Sequence, residues 1–196
     1  MGRVVGADPV GRVNKVQNEV RVISASGASA AVIGTSVQMK DELRTGAGAR
    51  LQVTFRDNTV LTLGENARLV IDRYVYEPES GIGETVLQAA AGAFRFATGR
   101  MGSLKDKNIL VVTPVAQIGV RGTEFWGGPI DGRYGVFLIA GEITVTTQGG
   151  SVALSGSGQG TDLPSPDLPA PLDPPGAAAP WPAEKVARAV DSVALY

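Results

Sequence analysis

Apolar and polar residues alternate in many short stretches of the chain, and glycine-rich or polar turns separate these stretches. In residues 51–55, LQVTF, every second residue is apolar, a period of two that predicts a half-buried strand. Asp57-Asn58 separates this stretch from residues 60–63, VLTL, of which three are apolar, and Asn tolerates the positive φ of a two-residue turn. The pattern predicts a hairpin here and an all-β chain of short strands.

The longest stretch of this kind covers residues 109–126, ILVVTPVAQIGVRGTEFW. Pro114 cannot donate to a strand ladder, so it marks a boundary between two strands rather than the middle of one. After it every second residue is apolar, and Arg121 carries the only full charge of the alternating run. Gly119 and Gly122 suit positions where the backbone bends or another segment passes close. We expect a packed strand pair with one charged residue held in it.

A short unit also recurs along the chain. AAGAFRF and IAGEITV align on Gly92 and Gly141, and QNEVRV matches more weakly with Asn18 in the glycine position. A recurring unit separated by turns predicts coils that stack on one another, and the irregular intervals favour a twisted β-solenoid-like stack of short strands. A β-sandwich is the alternative. Residues 24–30, SASGASA, are small and polar enough to be a loop or a wide turn.

The composition changes at residue 161. Eight of the chain's 12 prolines fall within residues 161–182, which predicts an extended, semi-rigid strap. Residues 183–195 then have the spacing of a short amphipathic helix with Val186, Val190 and Val193 on one face. A helix this short is marginal alone, so we expect it to dock. It either caps an exposed edge of the solenoid or inserts into a groove of another protein.

Composition and charge restrict the class of protein. With 196 residues, 43% hydrophobic and 19% charged, the chain is long enough for one domain with a sizeable core plus an appendage. The formal net charge is −1, from 18 basic and 19 acidic residues, and no block of Lys and Arg occurs. A surface for nucleic acid or for an anionic membrane is therefore not expected.

Several kinds of chemistry are excluded by residue type. Without Cys or His, the chain has no thiol nucleophile, no Ser-His-Asp triad and no zinc site built on those residues. Asp41, Glu42, Asp57 and Asp72 could supply the carboxylate pair of a glycoside hydrolase, but nothing in their spacing brings two of them together. No calcium-loop motif occurs. We predict no catalytic residue, no metal and no cofactor.

Arg121 and two tryptophans are the side chains with open roles. Arg121 either presents a cation to a partner or ties neighbouring strands through carbonyls or through an acid such as Glu124 or Glu142. Its place inside an alternating apolar strand favours the second interpretation, because a buried Arg must be paired. Trp126, beside a Gly-Gly-Pro sequence, and Trp181 are the candidate exposed contacts.

The sequence TPVAQIGVRGTEF resembles the signature of the FecR domain, an all-β module found outside the cytoplasmic membrane of bacteria. FRDNTVLTLGENARLVIDRYVYEP and AAGAFRFATG resemble two further segments of that module, so the resemblance covers residues 10–160. It implies a twisted β-solenoid-like fold in the cell envelope. The motif positions, which the resemblance assigns to a structural turn or a partner contact, are Thr113, Pro114, Gly119, Arg121, Gly122, Thr123 and Phe125.

The expected organisation follows from these segments. Residues 1–9 are an N-terminal leader or an expression remnant, residues 10–160 the FecR-like β domain, residues 161–182 the Pro-rich strap and residues 183–195 the helix. No apolar run reaches the roughly 20 residues of a membrane helix, and the start of the chain is too short for a signal peptide. We expect a periplasmic or secreted protein whose export signal is not within these residues.

The expected function is binding without catalysis. In the best-known FecR proteins the module follows a membrane helix and a cytoplasmic anti-sigma segment, and it relays the occupancy of an outer-membrane iron transporter. Neither part is recognised here, so anti-sigma activity and iron signalling are not carried over. We expect a protein-binding or sensor-like module with a protein partner in the envelope. The alternative is an architectural subunit of a secreted or surface assembly, for which self-association is expected.

Overall fold

The computed structural model describes residues 8–164 and 173–196. Most of the predicted leader and the middle of the predicted strap lie outside the described residues. The described strands are, in chain order, β1 (Gly11–Gln17), β2 (Val20–Ser24), β3 (Gly27–Ala30), β4 (Ser36–Val37), β5 (Glu42–Thr45), β6 (Arg50–Phe55), β7 (Val60–Leu63), β8 (Arg68–Glu77), β9 (Ile82–Ala91), β10 (Phe94–Ala97), β11 (Asp106–Val112), β12 (Gln117–Ile130), β13 (Arg133–Thr147), β14 (Gly150–Leu154), β15 (Gln159–Leu163) and β16 (Ala179–Pro180). A short 3₁₀ helix, Arg100–Ser103, precedes β11, and one α-helix, α1 (Ala183–Asp191), ends the chain.

All described strands belong to one curled, hydrogen-bonded sheet. We call β3-β2-β5-β8-β9-β11 the first section and β10-β7-β6-β1-β4 the second section, each in its order across the sheet. β12 joins them, because its residues 117–119 pair with β11 and its residues 124–127 pair with β10. β13 follows β12 across the same bend and extends both sections.

The bends in β12 and β13 depend on glycine. Gly122 and Gly141 have φ values of 61° and 88°, which a residue with a Cβ adopts only at a cost. A Cβ on Gly141 would lie 2.6 Å from the carbonyl oxygen of Gly122. β12 and β13 can therefore bend together from the first section into the second only because both have glycine at the bend.

The predicted repeat marks the places where the chain crosses between sections. Gly92 and Asn18 also have positive φ, 74° and 59°. Asn18 lies between β1 and β2, Gly92 between β9 and β10, and Gly141 within the bend of β13. The shared sequence pattern thus reflects a shared backbone conformation at a corner.

The prediction of an all-β fold is confirmed, while the solenoid-like stacking of coils is not. Stacked coils pair in parallel, whereas β9 and β11 are the one parallel pair recorded among residues 8–164 and 173–196. The β-sandwich alternative predicts separate sheets, whereas the sections here are continuous through β12. Residues 24–30 contain the turn of the β2–β3 hairpin, at residues 25–26, and the paired strand β3 rather than a loop, because small residues leave the backbone free to pair.

The two sections face each other across a buried apolar cluster, the inner core. Phe55 of β6 stacks on Tyr74 of β8 with ring centroids 5.3 Å apart, although the two strands belong to different sections. Alternate residues of nearly every long strand point into this core, as the period-two pattern predicts. Its fully buried members include Leu43, Leu51, Val53, Leu61, Leu69, Ile71, Leu87, Val111, Phe125 and Leu138.

The helix docks on the outer side of the second section. There it helps to form a smaller apolar group, the outer cluster, which consists of Ala93, Trp126, Ile130, Phe137, Ala189 and Val193, with Ile139, Trp181 and Val186 packed against them. The predicted helix face is partly wrong, because Val190 is 44% exposed while Ala189 is buried. The small side chain of Ala189 lets the helix lie near the indole of Trp126. Val190 is the next residue along the helix and points to solvent.

Candidate functional site

The Thr-Pro part of the motif builds a tight turn between β11 and β12. The Thr113 hydroxyl donates to the Ala116 carbonyl at 2.9 Å and accepts from the Ala116 amide at 3.0 Å. The Thr113 amide also donates to the Ala116 carbonyl. Pro114 sits in the turn, where a missing donor costs nothing. The side chains of both residues therefore shape the hairpin, and the Thr113 hydroxyl is satisfied within it.

The Gly-Thr part of the motif holds the corner of β12. At the bend the regular ladder is interrupted, and the Thr123 hydroxyl donates to the Glu142 carbonyl at 2.6 Å and accepts from the Glu142 amide at 3.1 Å. The Thr98 hydroxyl does the same for the backbone of Thr123, at 2.9 and 3.1 Å. Two buried or half-buried hydroxyls thus replace the ladder bonds that the bend removes.

The aromatic residue of the motif anchors the inner core. Phe125 is fully buried and meets Phe94 edge to face, with centroids 5.7 Å apart and planes at 88°. Gly119 is different, because a Cβ there would meet nothing closer than the Thr144 carbonyl oxygen at 3.9 Å. Nothing in the structure explains glycine at position 119.

Arg121 is exposed, so the prediction of a buried guanidinium fork is wrong. It lies opposite Glu142 in the ladder, but within residues 8–164 and 173–196 its side chain has no hydrogen-bond or ion-pair partner. Glu124, the other predicted partner, is held by Arg95, whose Nε lies 2.7 Å from Glu124 Oε1. The reason is the pleat of β12, which turns Val120 inward and its neighbour Arg121 outward.

Trp126 is 1% exposed, so the prediction that it is an exposed contact is also wrong. Its Nε1 donates to the Ser192 hydroxyl at 3.0 Å, and its ring meets Trp181 at 6.1 Å between centroids. The sheet turns Trp126 outward, as alternation after Phe125 requires, but the C-terminal segment covers it. Burial of the indole thus comes from residues more than fifty positions away.

Trp181 is half-buried in a slot on the sheet. Its ring stacks on Phe137 with centroids 5.2 Å apart. A Cβ on Gly135 would lie 2.6 Å from the Trp181 ring, and a Cβ on Gly160 would also overlap it. Lys185 covers the other side, with its Nζ 4.2 Å from the ring centroid and 2.6 Å from Asp162 Oδ1. These contacts fasten the C-terminal segment to its own sheet.

A buried carboxylate that the sequence explained only as a turn residue joins the two sections. Asp57 is fully buried. It accepts from the Tyr74 hydroxyl at 2.8 Å, from the Thr59 amide and hydroxyl, and from the Met101 amide at 3.1 Å. Burial, and then the charge of Asp57, raises the pKa of Tyr74, so its hydroxyl keeps the proton that it donates. All of these partners are internal, which makes Asp57 a structural hub.

The comparisons with known proteins identify the family of the chain. The family model described as FecR protein matches residues 41–153, more than half of the chain. The chain belongs to the FecR family. No curated protein matches it.

Two solved structures share the fold of this FecR chain. Both are crystal structures, at 1.65 and 2.50 Å resolution, of a protein from Parabacteroides distasonis ATCC 8503 that is provisionally described as an anti-sigma factor. The TM-scores are 0.54 and 0.53, and the identity is 22% in both cases. The matches cover 74% of this chain and 62% of the other, so this FecR chain spans less than two thirds of those structures.

The acids that the structure describes do not form a metal centre. Within residues 8–164 and 173–196, no three or more acidic, His or Cys side chains are grouped so that they could hold a metal ion. Asp57 is enclosed, and Asp72 is paired with Lys40 at the surface. In the same part of the chain, no helix is long and apolar enough to span a membrane.

The end of the FecR sheet formed by β2, β3 and residues 31–41 is open to solvent. Every residue of β3 is exposed, and the apolar Val32 and Ile33 that follow are 64% and 70% exposed. A groove lies here between the β2–β3 hairpin and the segment that contains Met39 and Asp41. Burial raises the pKa of the Asp41 carboxyl, and a hydrogen bond from the Gln38 amide partly offsets this. Sequence reasoning missed this site, because small polar residues resemble a loop.

Proposed function

We propose that the chain is a non-catalytic, extracytoplasmic module of the bacterial cell envelope that binds a protein partner and serves in regulation or sensing. The match to the FecR family over residues 41–153 is the observation that carries this proposal. The provisional description of the two structural neighbours as an anti-sigma factor fits a regulatory role. Location in the periplasm or outside the cell is part of the proposal.

The internal contacts of the motif support binding through other surfaces. Thr113, Thr123 and Phe125 make their bonds and contacts within the sheet, so a partner does not meet them. A curled sheet with bent, continuous strands is a rigid support, and its exposed edges and outer faces are where a partner can be held. In this proposal residues 10–160 are the binding module, and the helix of residues 183–195 packs on the sheet of its own chain rather than on another protein.

A second candidate is an architectural subunit that pairs with copies of itself. The observation that favours it is β3, an exposed strand that pairs with β2 alone among the described strands. A strand with one unpaired side is a template for another strand, and a second copy of the chain offers the same strand.

Site-specific photo-cross-linking in the native bacterium tests the proposal. A benzoylphenylalanine is placed at Ala30 at the open end of the sheet, at Arg121 on the outer face of β12, or at Val190 on α1, since all three positions are exposed. We expect a cross-link to one identified envelope protein at some of these positions and not at others, with the chain in the periplasmic or secreted fraction.

The same experiment can contradict the proposal. Cross-links between copies of the chain alone would favour the architectural subunit. Retention of the chain in the cytoplasm would refute the extracytoplasmic assignment. Hydrolysis of an envelope polysaccharide by the purified chain would refute the absence of catalysis.

A further inference from the structure

The edge strand β3 has backbone groups free to pair with another strand. The Ala31 amide donates to the Val20 carbonyl at 2.9 Å, so these two residues form a hydrogen-bonded pair of the β2–β3 ladder. Such pairs alternate along antiparallel strands. The amides of Gly27 and Ser29 therefore point to β2, and those of Ala28 and Ala30 point away from it.

Of the other terminal strands of the sheet, two are short and the third is covered at its first residue. β4 and β16 have two residues each, and Pro180 ends β16. Pro174 lies beside Gly150, the first residue of β14, and the hydroxyl of Thr147, which lies opposite Gly150 on β13, donates to the Asp173 carbonyl at 3.0 Å. Proteins use short strands, proline and covering segments to block strand addition. β3 has four residues, is longer than β4 and β16, contains no charge and no proline, and has every residue exposed, so neither proline nor a covering segment blocks its edge.

A row of arginines leads across the outer face to this edge. Arg21, Arg44 and Arg68 lie directly opposite one another on β2, β5 and β8, and Arg21 lies opposite Ala30 of β3. All three side chains are about half exposed or more. Like charges in direct register repel. Glu42 is shared by Arg44 and Arg68, and Glu19 pairs with Arg21, so the row has three positive charges against two negative ones.

The inner side of the same edge has room for side chains. The groove beside β3 is lined by residues that include Val22, Ser29, Met39 and Lys40. Three of the six large apolar side chains that are exposed in the described residues, Val32, Ile33 and Met39, belong to this end of the sheet. Exposed apolar groups that adjoin a groove are typical of an interaction surface.

We propose that β3 accepts an extended, acidic segment of a partner protein as an added strand. The added strand bonds to the backbone of Ala28 and Ala30. The residue of the added strand that lies opposite Ala30 is acidic and points to the outer face. It is two strand spacings, about 9–10 Å, from Arg21, so its side chain and that of Arg21 can meet across β3. Its alternate residues are apolar and enter the groove beside Met39. This inference rests on the proposed protein-binding function and identifies the surface that would perform it.

A second copy of the chain fits this site less well. The β3 strand of a second copy is Gly-Ala-Ser-Ala, which has no side chain long enough to fill the groove and no acid to balance the arginine row. A partner strand with acidic and apolar residues in alternation satisfies both sides.

A peptide-binding experiment on the full chain tests the inference. The probe is a capped, fluorescein-labelled heptapeptide in which valine and glutamate alternate, and the control peptide has lysine in place of glutamate. We expect the acidic peptide to raise fluorescence anisotropy on binding and the lysine peptide to bind at least about ten-fold more weakly. We also expect the amides of Ala28 and Ala30 to gain protection from hydrogen exchange when the acidic peptide is bound.

Two variants locate the site. Ala30→Pro removes an outward amide without touching the bonds to β2, and proline is tolerated on the open side of an edge strand. Arg21→Glu leaves the backbone unchanged but reverses the charge next to the edge. We expect each variant to weaken binding of the acidic peptide about ten-fold or more. Arg133→Glu, an exposed arginine in the β12–β13 hairpin, is the matched charge control and should bind as the parent does.

Three outcomes would overturn the inference. The first is equal binding of both peptides to the parent. The second is unchanged binding of the acidic peptide to the Arg21→Glu variant, in which only the charge of a side chain is reversed. The third is a dimer in sedimentation without peptide that Ala30→Pro abolishes, since β3 would then be the site of a second copy. Failure of the peptide to bind at millimolar concentration refutes this use of β3, while cross-links from Arg121 or Val190 would still support an envelope partner.

Discussion

The two apolar groups of this protein, the inner core and the outer cluster, begin at adjacent residues of one strand. Phe125 points into the inner core and Trp126 into the outer cluster. The inner core is closed by residues of both sheet sections, most of them within the FecR match of residues 41–153. The outer cluster needs Trp181, Val186, Ala189 and Val193, which all follow that match.

The difference shows that the same alternation can produce two kinds of burial. Inward residues are covered because the sheet curls on itself, whereas outward residues are covered only where a later segment docks. Trp126 and Arg121 both point outward from β12, yet one is buried and the other exposed. Loss of an inner residue should therefore unfold the domain, while loss of an outer one should release the C-terminal segment.

The largest expected effect is that of Phe125→Ala. Removal of a fully buried ring that packs on Phe94 and Phe96 should lower the free energy of unfolding by about 3–5 kcal/mol. Urea denaturation followed by circular dichroism measures this. A loss of less than about 1 kcal/mol would mean that the inner core does not govern the stability of the domain.

Trp181→Ala should have a smaller and local effect. It removes the stack on Phe137 and the contact with Trp126, which we expect to cost about 1.5–3 kcal/mol. Fluorescence from the remaining Trp126 should shift to longer wavelength as water reaches its ring. Amides of α1 should lose protection from hydrogen exchange while those of β6 and β7 keep it. Loss of protection in all three elements together would contradict separate roles for the two groups.

Two tyrosines provide a matched pair at the inner core. Tyr74→Phe removes a hydroxyl that donates to Asp57 Oδ1 and accepts from the Asp57 amide, so we expect a loss of about 1–3 kcal/mol in the free energy of unfolding. Burial raises the pKa of Tyr134, and its hydroxyl, although near Thr113, makes no hydrogen bond within the described residues. Tyr134→Phe should therefore stay within about 0.5 kcal/mol of the parent. Equal losses in urea denaturation would refute the role of Asp57 as a hub.

Asp41→Asn tests the open end of the sheet by its pH dependence. Burial raises the pKa of Asp41 above 3.8 in the folded protein, so the folded state holds this proton more tightly than the unfolded state. The contribution of Asp41 to stability is therefore complete below its unfolded pKa and is lost as pH rises through the folded pKa. We expect the parent to lose stability relative to the variant over that range in urea denaturation. The prediction would be contradicted if the free energy of unfolding changed with pH in the same way for the parent and for Asp41→Asn.

Arg121→Lys should have the smallest effect. The guanidinium is exposed and unpaired within the described residues, so we expect the free energy of unfolding to change by less than about 0.5 kcal/mol. Arg95→Lys is the control, because Arg95 is paired with Glu124. A large loss of stability in Arg121→Lys would restore the interpretation of this residue as a structural fork.

Local sequence patterns predicted the elements with short-range causes. The hairpin of β6 and β7 forms as expected, with Asn58 at a φ of 66°, because the turn preference of Asn acts within four residues. Its turn is longer than the predicted two residues, since the Phe55 amide donates to the Thr59 carbonyl and leaves residues 56–58 between them. The repeat aligned on Gly92 and Gly141 marked two corners for the same reason. Alternation also placed Arg121 on the face opposite Val120, and the error was to assume that a charge within an apolar strand is buried.

The sequence by itself determined the all-β class and most of the turns, since φ preferences and period-two alternation act between near neighbours, and its motif carried the resemblance to the FecR family. The pattern of short strands did not predict the 14 residues of β12 or the 15 residues of β13. Only the tertiary structure decided that the sections face each other, that Trp126 is covered by Trp181 and α1, and that β3 remains uncovered. Burial and edge pairing depend on contacts between residues far apart in the chain, and a local pattern does not specify which distant segment will supply them.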